Sequence, residues 1–151
     1  MQSMMERVER AAQAVRAQCG EAEIGLICGS GLGGYTSTMR DAVRMSYRQT
    51  PDFPVSSVPG HAGEWCFGTI GGHRVAAMNG RFHYYEGYDQ QEVTLPIRVM
   101  RKLGVRTLIV TNAAGAVNEK YAPGDLMLIR DFINLSGINP LRGANLEAFG
   151  P

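Results

Sequence analysis

The stretch "EIGLICGSGLGG" (residues 23–34) passes from a short apolar run directly into a loop rich in glycine. The apolar run predicts a buried β-strand, and the loop carries the spacing G-x-G-x-x-G at Gly29, Gly31 and Gly34. Glycine allows close backbone approach and left-handed φ values, so such a loop can wrap closely around an anion. The stretch therefore predicts a strand that ends in an anion-binding loop.

The first half of the chain contains further predicted helices and strands. Apolar residues recur every three or four positions over residues 3–19, with Ser3 as a candidate N-cap and Gly20 at the end. "WCFGTI" and "HRVAAM" flank Gly71 and Gly72, which predicts a β-hairpin. "DAVRMSY" is a further candidate strand.

The second half adds one predicted helix and two strand-like runs. "VTLPIRVMRKLG" predicts a helix in which Pro96 either places the first turn near Leu95 or introduces a kink. "RTLIVTN" is rich in β-branched residues, which is typical of a strand buried on both faces. "DLMLIRDFINL" has a similar composition, and after "NPLRGANLEAFGP" no element closes the fold.

Together these elements predict an α/β fold with a mixed central β-sheet flanked by helices. We expect a single domain over residues 1–151 that begins with a helix in residues 1–20. Because nothing follows the last loop-like stretch, we expect this domain to be incomplete.

Composition limits the possible function classes. The chain has 151 residues, of which 44% are apolar and 19% charged, which is typical of a soluble globular protein. A net charge of +1 gives no field for nucleic acid or an anionic membrane. The three cysteines are far apart and follow no metal-ligand spacing, so we expect reduced thiols, no metal site and a cytoplasmic location.

The glycine loop alone is open to three interpretations. A dinucleotide site requires an acid at the end of a second strand about twenty residues further on. The only acid at that distance is Asp52, which lies between two prolines in "QTPDFP", so this interpretation is disfavoured. A purely structural turn remains possible. Ser30 favours a binding role, because its hydroxyl lies among N–H groups that can converge on an anion.

The segment "GRFHYYEGY" is dense in side chains that can contact a ligand. In an extended segment Arg81, His83 and Tyr85 share one face and form a donor array for a phosphate and a hydroxylated ligand. Glu86 is near enough in sequence to orient the imidazole. An aromatic edge strand is the alternative interpretation. His61 lies between glycines in "VPGHAGEW" and is either a surface histidine or a further phosphate contact.

A third candidate binding segment is "VTNAAGAVN". Its strand ends at Asn112 and is followed by the small residues Ala113, Ala114 and Gly115. Small side chains at the carboxyl end of a strand allow a flat ligand to lie against the backbone. Tight packing between a strand and a helix is the alternative.

These segments together resemble the trimeric purine nucleoside phosphorylases. "CGSGLGG", "FPVSSVPGHAG", "GRFHYYEGY", "VTNAAGAVN" and "PGDLMLIRDFINLSGINPLRG" occur in that family in the same order and at similar spacing. The resemblance runs from about Ile24 to Gly150 and implies a phosphorylase/hydrolase-like fold. It also implies phosphorolysis, in which inorganic phosphate attacks a purine nucleoside and yields free base and ribose 1-phosphate. The related methylthioadenosine phosphorylases share a similar glycine loop but differ in the histidine-containing segments, and a member of that family is the alternative resemblance.

The resemblance assigns roles to the candidate residues. It places phosphate against Ser30, His61, Arg81, His83 and the backbone N–H of Ala113, with Glu86 supporting His83 in catalysis. Sugar and base would contact the following residues: Tyr85, Asn112, Ala113, Ala114 and Gly115. No cofactor is implied besides phosphate as co-substrate.

Chain length is where the sequence departs from this family. Family members continue for more than a hundred residues, and that part carries the groups that bind the purine and complete the trimer. We therefore expect a homo-oligomer, a homotrimer in the full-length family, and weak or no activity from these 151 residues alone. A phosphate-binding or oligomerising fragment without turnover is the alternative function.

Overall fold

The computed structural model describes residues 3–55 and 62–150, and they form two α-helices, five β-strands and short 3-10 turns. The helices and strands are α1 Met4–Cys19, β1 Ile24–Cys28, β2 Arg40–Ser46, β3 Glu64–Ile70, β4 His73–Asn79, α2 Gln90–Lys102 and β5 Thr107–Val110. The 3-10 turns are Gly33–Thr38, Tyr47–Gln49, Tyr84–Glu86 and Glu147–Phe149.

The five strands form one mixed sheet in the order β2-β3-β4-β1-β5. Strands β2, β3 and β4 pair antiparallel, whereas β4, β1 and β5 are parallel neighbours. Gly71 and Gly72 both have positive φ and form the tight turn of the β3–β4 hairpin, as predicted. The predicted α/β class with a mixed sheet is confirmed.

Helix α1 forms where the sequence predicts it. Ser3 accepts a hydrogen bond from the Glu6 N–H, and the Glu6 carboxylate accepts one from the Ser3 N–H, which completes a capping box. Gly20 ends the helix with φ +82°. Its apolar stripe, which includes Val8 and Val15, packs with α2 and one face of the sheet in the larger core cluster.

The opposite face of the sheet carries a smaller apolar cluster. Leu26 and Cys28 of β1 belong to it, whereas Ile27 between them belongs to the cluster with the helices. In the same way, Cys66 of β3 faces the smaller cluster. This alternation is the period of two expected for strands that are buried on both faces.

Helix α2 begins earlier than Pro96 suggested. Its N-cap is Asp89, whose carboxylate accepts a hydrogen bond from the Glu92 N–H at 2.8 Å. The expected start near Leu95 is therefore wrong, and Pro96 lies buried inside the helix. The capping box fixes the N-terminus because it satisfies backbone N–H groups that a helix start leaves free.

Two sequence expectations fail in the second half. All four residues of β5 are exposed, so the prediction of a strand buried on both faces is wrong. Strand β5 is one of the two edge strands, and its main contacts with the described elements are with β1, so its faces stay uncovered. The run 125–135 forms no strand, and Leu126 and Leu128 are 93% and 95% exposed. A strand requires a neighbour with free backbone groups, and this run pairs with none of the described strands.

Candidate functional site

Three loops leave the sheet side by side at one edge. In chain order, the first loop follows β1, the second follows β4 and the third follows β5, at the carboxyl ends of these adjacent parallel strands. Open α/β sheets bind ligands at such an edge. The predicted site residues of the described ranges all lie in these loops: Ser30, Arg81, His83, Tyr85, Glu86, Asn112, Ala113, Ala114 and Gly115. The predicted contact His61 lies outside the described residues.

The glycine loop begins with a tight turn. The Leu32 N–H donates to the Gly29 carbonyl at 3.1 Å, and Gly31 has φ +84°, the left-handed value that this turn position requires. Ser30 lies exposed at the corner of the turn. The loop therefore presents the Ser30 hydroxyl at the carboxyl edge of the sheet.

Gly29 is in close contact with the loop that follows β5. A Cβ atom at Gly29 would lie 2.5 Å from the Thr111 carbonyl oxygen and 2.8 Å from the Asn112 Cα. The Gly29 N–H donates to Thr111 Oγ1 at 2.7 Å. The first and third loops are thus held together by backbone contact that only glycine permits.

A chain of hydrogen bonds connects the second and third loops. Arg81 donates from Nη1 to the Thr111 carbonyl at 2.9 Å and from Nε to His83 Nε2 at 3.2 Å. His83 Nδ1 lies 2.8 Å from Glu86 Oε1, which also accepts from the His83 backbone N–H at 2.9 Å. Because Nε2 accepts from Arg81, the neutral ring carries its proton on Nδ1 and donates it to Glu86.

This chain is partly shielded from water. The side chains of His83 and Glu86 are 15% and 2% exposed. Hydrogen bonds to charged groups are stronger in such an environment than in bulk water. The arrangement holds the Arg81 guanidinium as a fixed positive charge beside an oriented imidazole.

Tyr85 stacks on the His83 ring, with a centroid separation of 4.7 Å and an interplanar angle of 19°. The sequence placed Tyr85 beside His83 through an extended segment, but Tyr85 lies in the 3-10 turn Tyr84–Glu86. That turn brings Glu86 back towards the imidazole. The phenol itself is largely exposed.

The third loop presents small residues to solvent. Asn112, Ala113, Ala114 and Gly115 are exposed, and the Asn112 amide donates to the Ala113 carbonyl at 3.1 Å. The loop follows β5 directly, so its backbone borders the glycine loop. A flat ligand can lie against this backbone.

Two contributions to the site were not identified from the sequence. Thr111 contacts both Gly29 and Arg81, although only its place at the end of a β-branched run distinguishes it in the sequence. Glu64 accepts from Asn79 and pairs with Arg44, which itself donates to the Thr36 carbonyl at 3.3 Å. This network links three strands to the 3-10 turn of the glycine loop.

The three cysteines are free and buried. Burial raises the pKa of the Cys28 thiol, which favours the neutral form just before the glycine loop. Residues 3–55 and 62–150 contain no group of three or more His, Cys, Asp or Glu side chains that could hold a metal ion. No helix of these ranges has the length and apolar character needed to span a membrane.

The comparison with known families agrees with this geometry. A family model described as phosphorylase superfamily matches residues 23–151, which include all three loops. The chain belongs to the phosphorylase superfamily. The resemblance noted in the sequence is therefore confirmed at the level of the family.

Superfamily members with high identity to the chain are purine nucleoside phosphorylases. Purine nucleoside phosphorylase 1 of Bacillus subtilis (strain 168) is 52% identical over 148 residues, 97% of this chain and 55% of the relative. The Bos taurus enzyme is 54% identical over 131 residues, which are 85% of this chain and 45% of that protein.

A solved structure shows the same fold. Isoform 2 of the Schistosoma mansoni purine nucleoside phosphorylase, in complex with cytosine and ribose-1-phosphate, has a TM-score of 0.87 and 43% identity. The match covers 97% of this chain and 53% of that one. The chain thus spans about half the length of the superfamily members that it matches.

Proposed function

We propose that the chain carries the phosphate site of a purine nucleoside phosphorylase. The reaction is phosphorolysis of purine ribonucleosides and deoxyribonucleosides to free base and ribose or deoxyribose 1-phosphate. The observation that carries this proposal is the set of contacts among Gly29, Thr111, Arg81 and His83 at the carboxyl edge of three parallel strands. This set places a fixed cation and an oriented imidazole beside a glycine loop.

The proposed chemistry uses that cation to hold the nucleophile. Arg81, Ser30 and the Ala113 N–H donate to inorganic phosphate. When Arg81 Nε turns from His83 to the phosphate, His83 Nε2 is able to accept from a protonated phosphate oxygen, and His61 is a further proposed contact. A phosphate oxygen forms a bond to the anomeric carbon while the bond to the purine nitrogen breaks, and the base leaves with those electrons. The sugar becomes cationic in the transition state, so the phosphate charge beneath it lowers the barrier.

Glu86 is a positioning residue in this scheme. It keeps the imidazole oriented and its proton on Nδ1 while Arg81 binds phosphate. Tyr85 and the loop 112–115 are proposed to contact the sugar and the base, because they are exposed at the same edge.

We propose a homotrimeric, cytoplasmic enzyme that uses phosphate as co-substrate and no other cofactor. The relatives' names support the substrate class. A methylthioadenosine phosphorylase is less well supported, because the relatives described above are all named purine nucleoside phosphorylases.

A second candidate function is phosphate binding without turnover. It is favoured by the exposure of apolar residues in 117–135, a surface that suits association with another chain. Incubation of the purified chain with inosine and phosphate distinguishes the two candidates. Hypoxanthine release at a rate typical of enzymes would support phosphorolysis by the chain and contradict the second candidate, whereas phosphate binding without hypoxanthine release would support the second candidate.

Phosphate binding tests the assignment common to both candidates. Titration of the chain with inorganic phosphate, followed by calorimetry, gives the affinity. Arg81→Ala removes charge-assisted hydrogen bonds, so we expect about a 10- to 100-fold weaker affinity. Arg106→Ala is the matched control, because Arg106 precedes β5 at the opposite edge of the sheet. Equal phosphate affinity in the wild-type chain and Arg81→Ala would refute the assignment.

A further inference from the structure

Thr111 lies at the point where β1 and β5 separate. The register of the two strands ends at the pair Ile27 and Val110. The Thr111 N–H still donates to the Ile27 carbonyl at 3.1 Å. Beyond it the backbone ladder stops, so the loops can diverge and open the edge that carries the candidate site.

The side chain of Thr111 continues the hydrogen bonding after the ladder stops. Its hydroxyl donates to the Ile27 carbonyl at 2.8 Å and accepts from the Gly29 N–H at 2.7 Å. Gly29 is buried, and a buried N–H without an acceptor costs free energy. One hydroxyl therefore satisfies the first N–H of the glycine loop in place of a backbone carbonyl.

The backbone of the same residue holds the cation. The Thr111 carbonyl accepts from Arg81 Nη1 at 2.9 Å, so Thr111 contacts the glycine loop through its side chain and Arg81 through its main chain. A displacement of Thr111 would change the distance between these two groups. Small displacements of this kind have large effects on binding and catalysis.

We propose that Thr111 is a positioning residue that fixes the spacing between the glycine loop and Arg81. The inference rests on the proposed phosphate site, but its structural part concerns only the Thr111 hydroxyl and the Gly29 N–H. Threonine is suited to this role because its hydroxyl both donates and accepts, whereas a valine of the same shape does neither.

The test compares Thr111→Val, Thr111→Ser and Thr111→Cys with the wild-type chain. Phosphate affinity is measured by titration, and protection of the Gly29 amide is measured by hydrogen exchange in NMR spectra. We expect Thr111→Val to bind phosphate about tenfold more weakly and to lose Gly29 protection. Thr111→Ser should keep phosphate affinity and Gly29 protection close to those of the wild-type chain. Thr111→Cys should give values between those of Thr111→Ser and Thr111→Val, because a thiol is a weaker donor and acceptor. Thr107→Val is the matched control, because Thr107 is exposed at the other end of β5.

The outcomes separate this inference from the proposed function. Wild-type affinity in a folded Thr111→Val, or failure of serine to restore it, would overturn the inference. If Thr111→Val does not fold, the graded difference between serine and cysteine decides. If the wild-type chain binds no phosphate, the proposed function fails, and Gly29 protection alone decides whether Thr111 positions the loop.

Discussion

Replacing Gly29 by alanine tests how tightly the glycine loop is packed against β5. The new methyl group would lie 2.5 Å from the Thr111 carbonyl oxygen, 2.9 Å from its carbonyl carbon and 2.8 Å from the Asn112 Cα. All three are backbone atoms, so no side-chain rotation relieves the contact. The loop and the end of β5 must move apart.

The expected cost has two parts. Insertion of a methyl group into well-packed structure costs about 1–3 kcal/mol. Separation of the loops also lengthens the hydrogen bond from the Gly29 N–H to Thr111 Oγ1, which contributes about 0.5–1.5 kcal/mol. We therefore expect Gly29→Ala to lower the free energy of unfolding by about 1.5–4.5 kcal/mol, a large share of the stability of an ordinary domain.

Two other glycines of the loop, Gly31 and Gly34, provide matched controls. Gly31 has free space around it but φ +84°, so Gly31→Ala should cost about 1–2 kcal/mol through backbone strain alone. Gly34 has neither a close neighbour nor a left-handed φ, so Gly34→Ala should change stability by about 0.5 kcal/mol at most. The order of the three losses is the prediction.

Urea unfolding monitored by tryptophan fluorescence measures these losses. The chain has one tryptophan, Trp65, which is fully buried in β3 and reports on the core. A loss for Gly29→Ala within about 0.5 kcal/mol of that for Gly34→Ala would refute the close-approach argument. A loss for Gly31→Ala larger than that for Gly29→Ala would also contradict it.

Two further predictions concern alkaline stability and the exposed second half. Burial raises the pKa of the Cys66 thiol and holds that of the Tyr47 phenol well above its usual range, so the unfolded chain loses these protons first. The free energy of unfolding should be highest below about pH 9 and fall as the pH rises further. Urea midpoints measured from pH 8 to 10.5 should therefore decline less steeply with pH in Cys66→Ala than in the wild-type chain. Because Leu126 is exposed, Leu126→Asp should leave the urea midpoint within error of the wild-type value. It should also reduce light scattering at high protein concentration, because it removes an exposed apolar side chain. A loss of more than about 1 kcal/mol in the free energy of unfolding would contradict the exposure of Leu126.

The elements that the sequence predicted correctly depend on local signals. Helix α1 has its own caps at Ser3 and Gly20, and the β3–β4 hairpin has its own turn at Gly71 and Gly72. The start of α2 was missed because the proline received more weight than the cap at Asp89. Its capping box is also a local signal, and it was present in the sequence.

The wrong predictions depend on contacts between distant residues. A β-branched run predicts a strand, but its burial is decided by what lies beside and above it, as the exposed β5 shows. The run 125–135 has the composition of a strand and no partner among the described strands. Whether such a run is paired cannot be determined from its own residues.

In the candidate site as well, features that depend on neighbouring residues were predictable from the sequence, and contacts between distant residues were not. The loops and the closeness of His83 to Glu86 were predictable, since they are three residues apart. The roles of the site residues, including His61, remain predictions. Thr111 was not identified, because its hydroxyl bonds to Gly29, which is 82 residues away in the chain. Side-chain bonds between strands depend on sheet order, which the sequence alone did not specify.

The geometry of the glycine loop also distinguishes between its possible ligands. In a dinucleotide fold, the third glycine allows close packing of a helix on a strand, and that helix directs its N-terminus at the pyrophosphate. Here a Cβ atom at Gly34 would meet no atom of the described residues within 4 Å apart from its chain neighbours, and the loop leads only into the 3-10 turn Gly33–Thr38.

The acid that a dinucleotide site would need is engaged elsewhere. Asp52 forms an ion pair with Arg10, and its carbonyl accepts from Arg7 at 3.2 Å, so it is held against α1. The close approach of Gly29 instead brings the loop against Thr111 at the end of β5, and the Thr111 carbonyl accepts a hydrogen bond from Arg81. A loop fixed beside a guanidinium, with no long helix behind it, suits a small anion such as a single phosphate better than a dinucleotide.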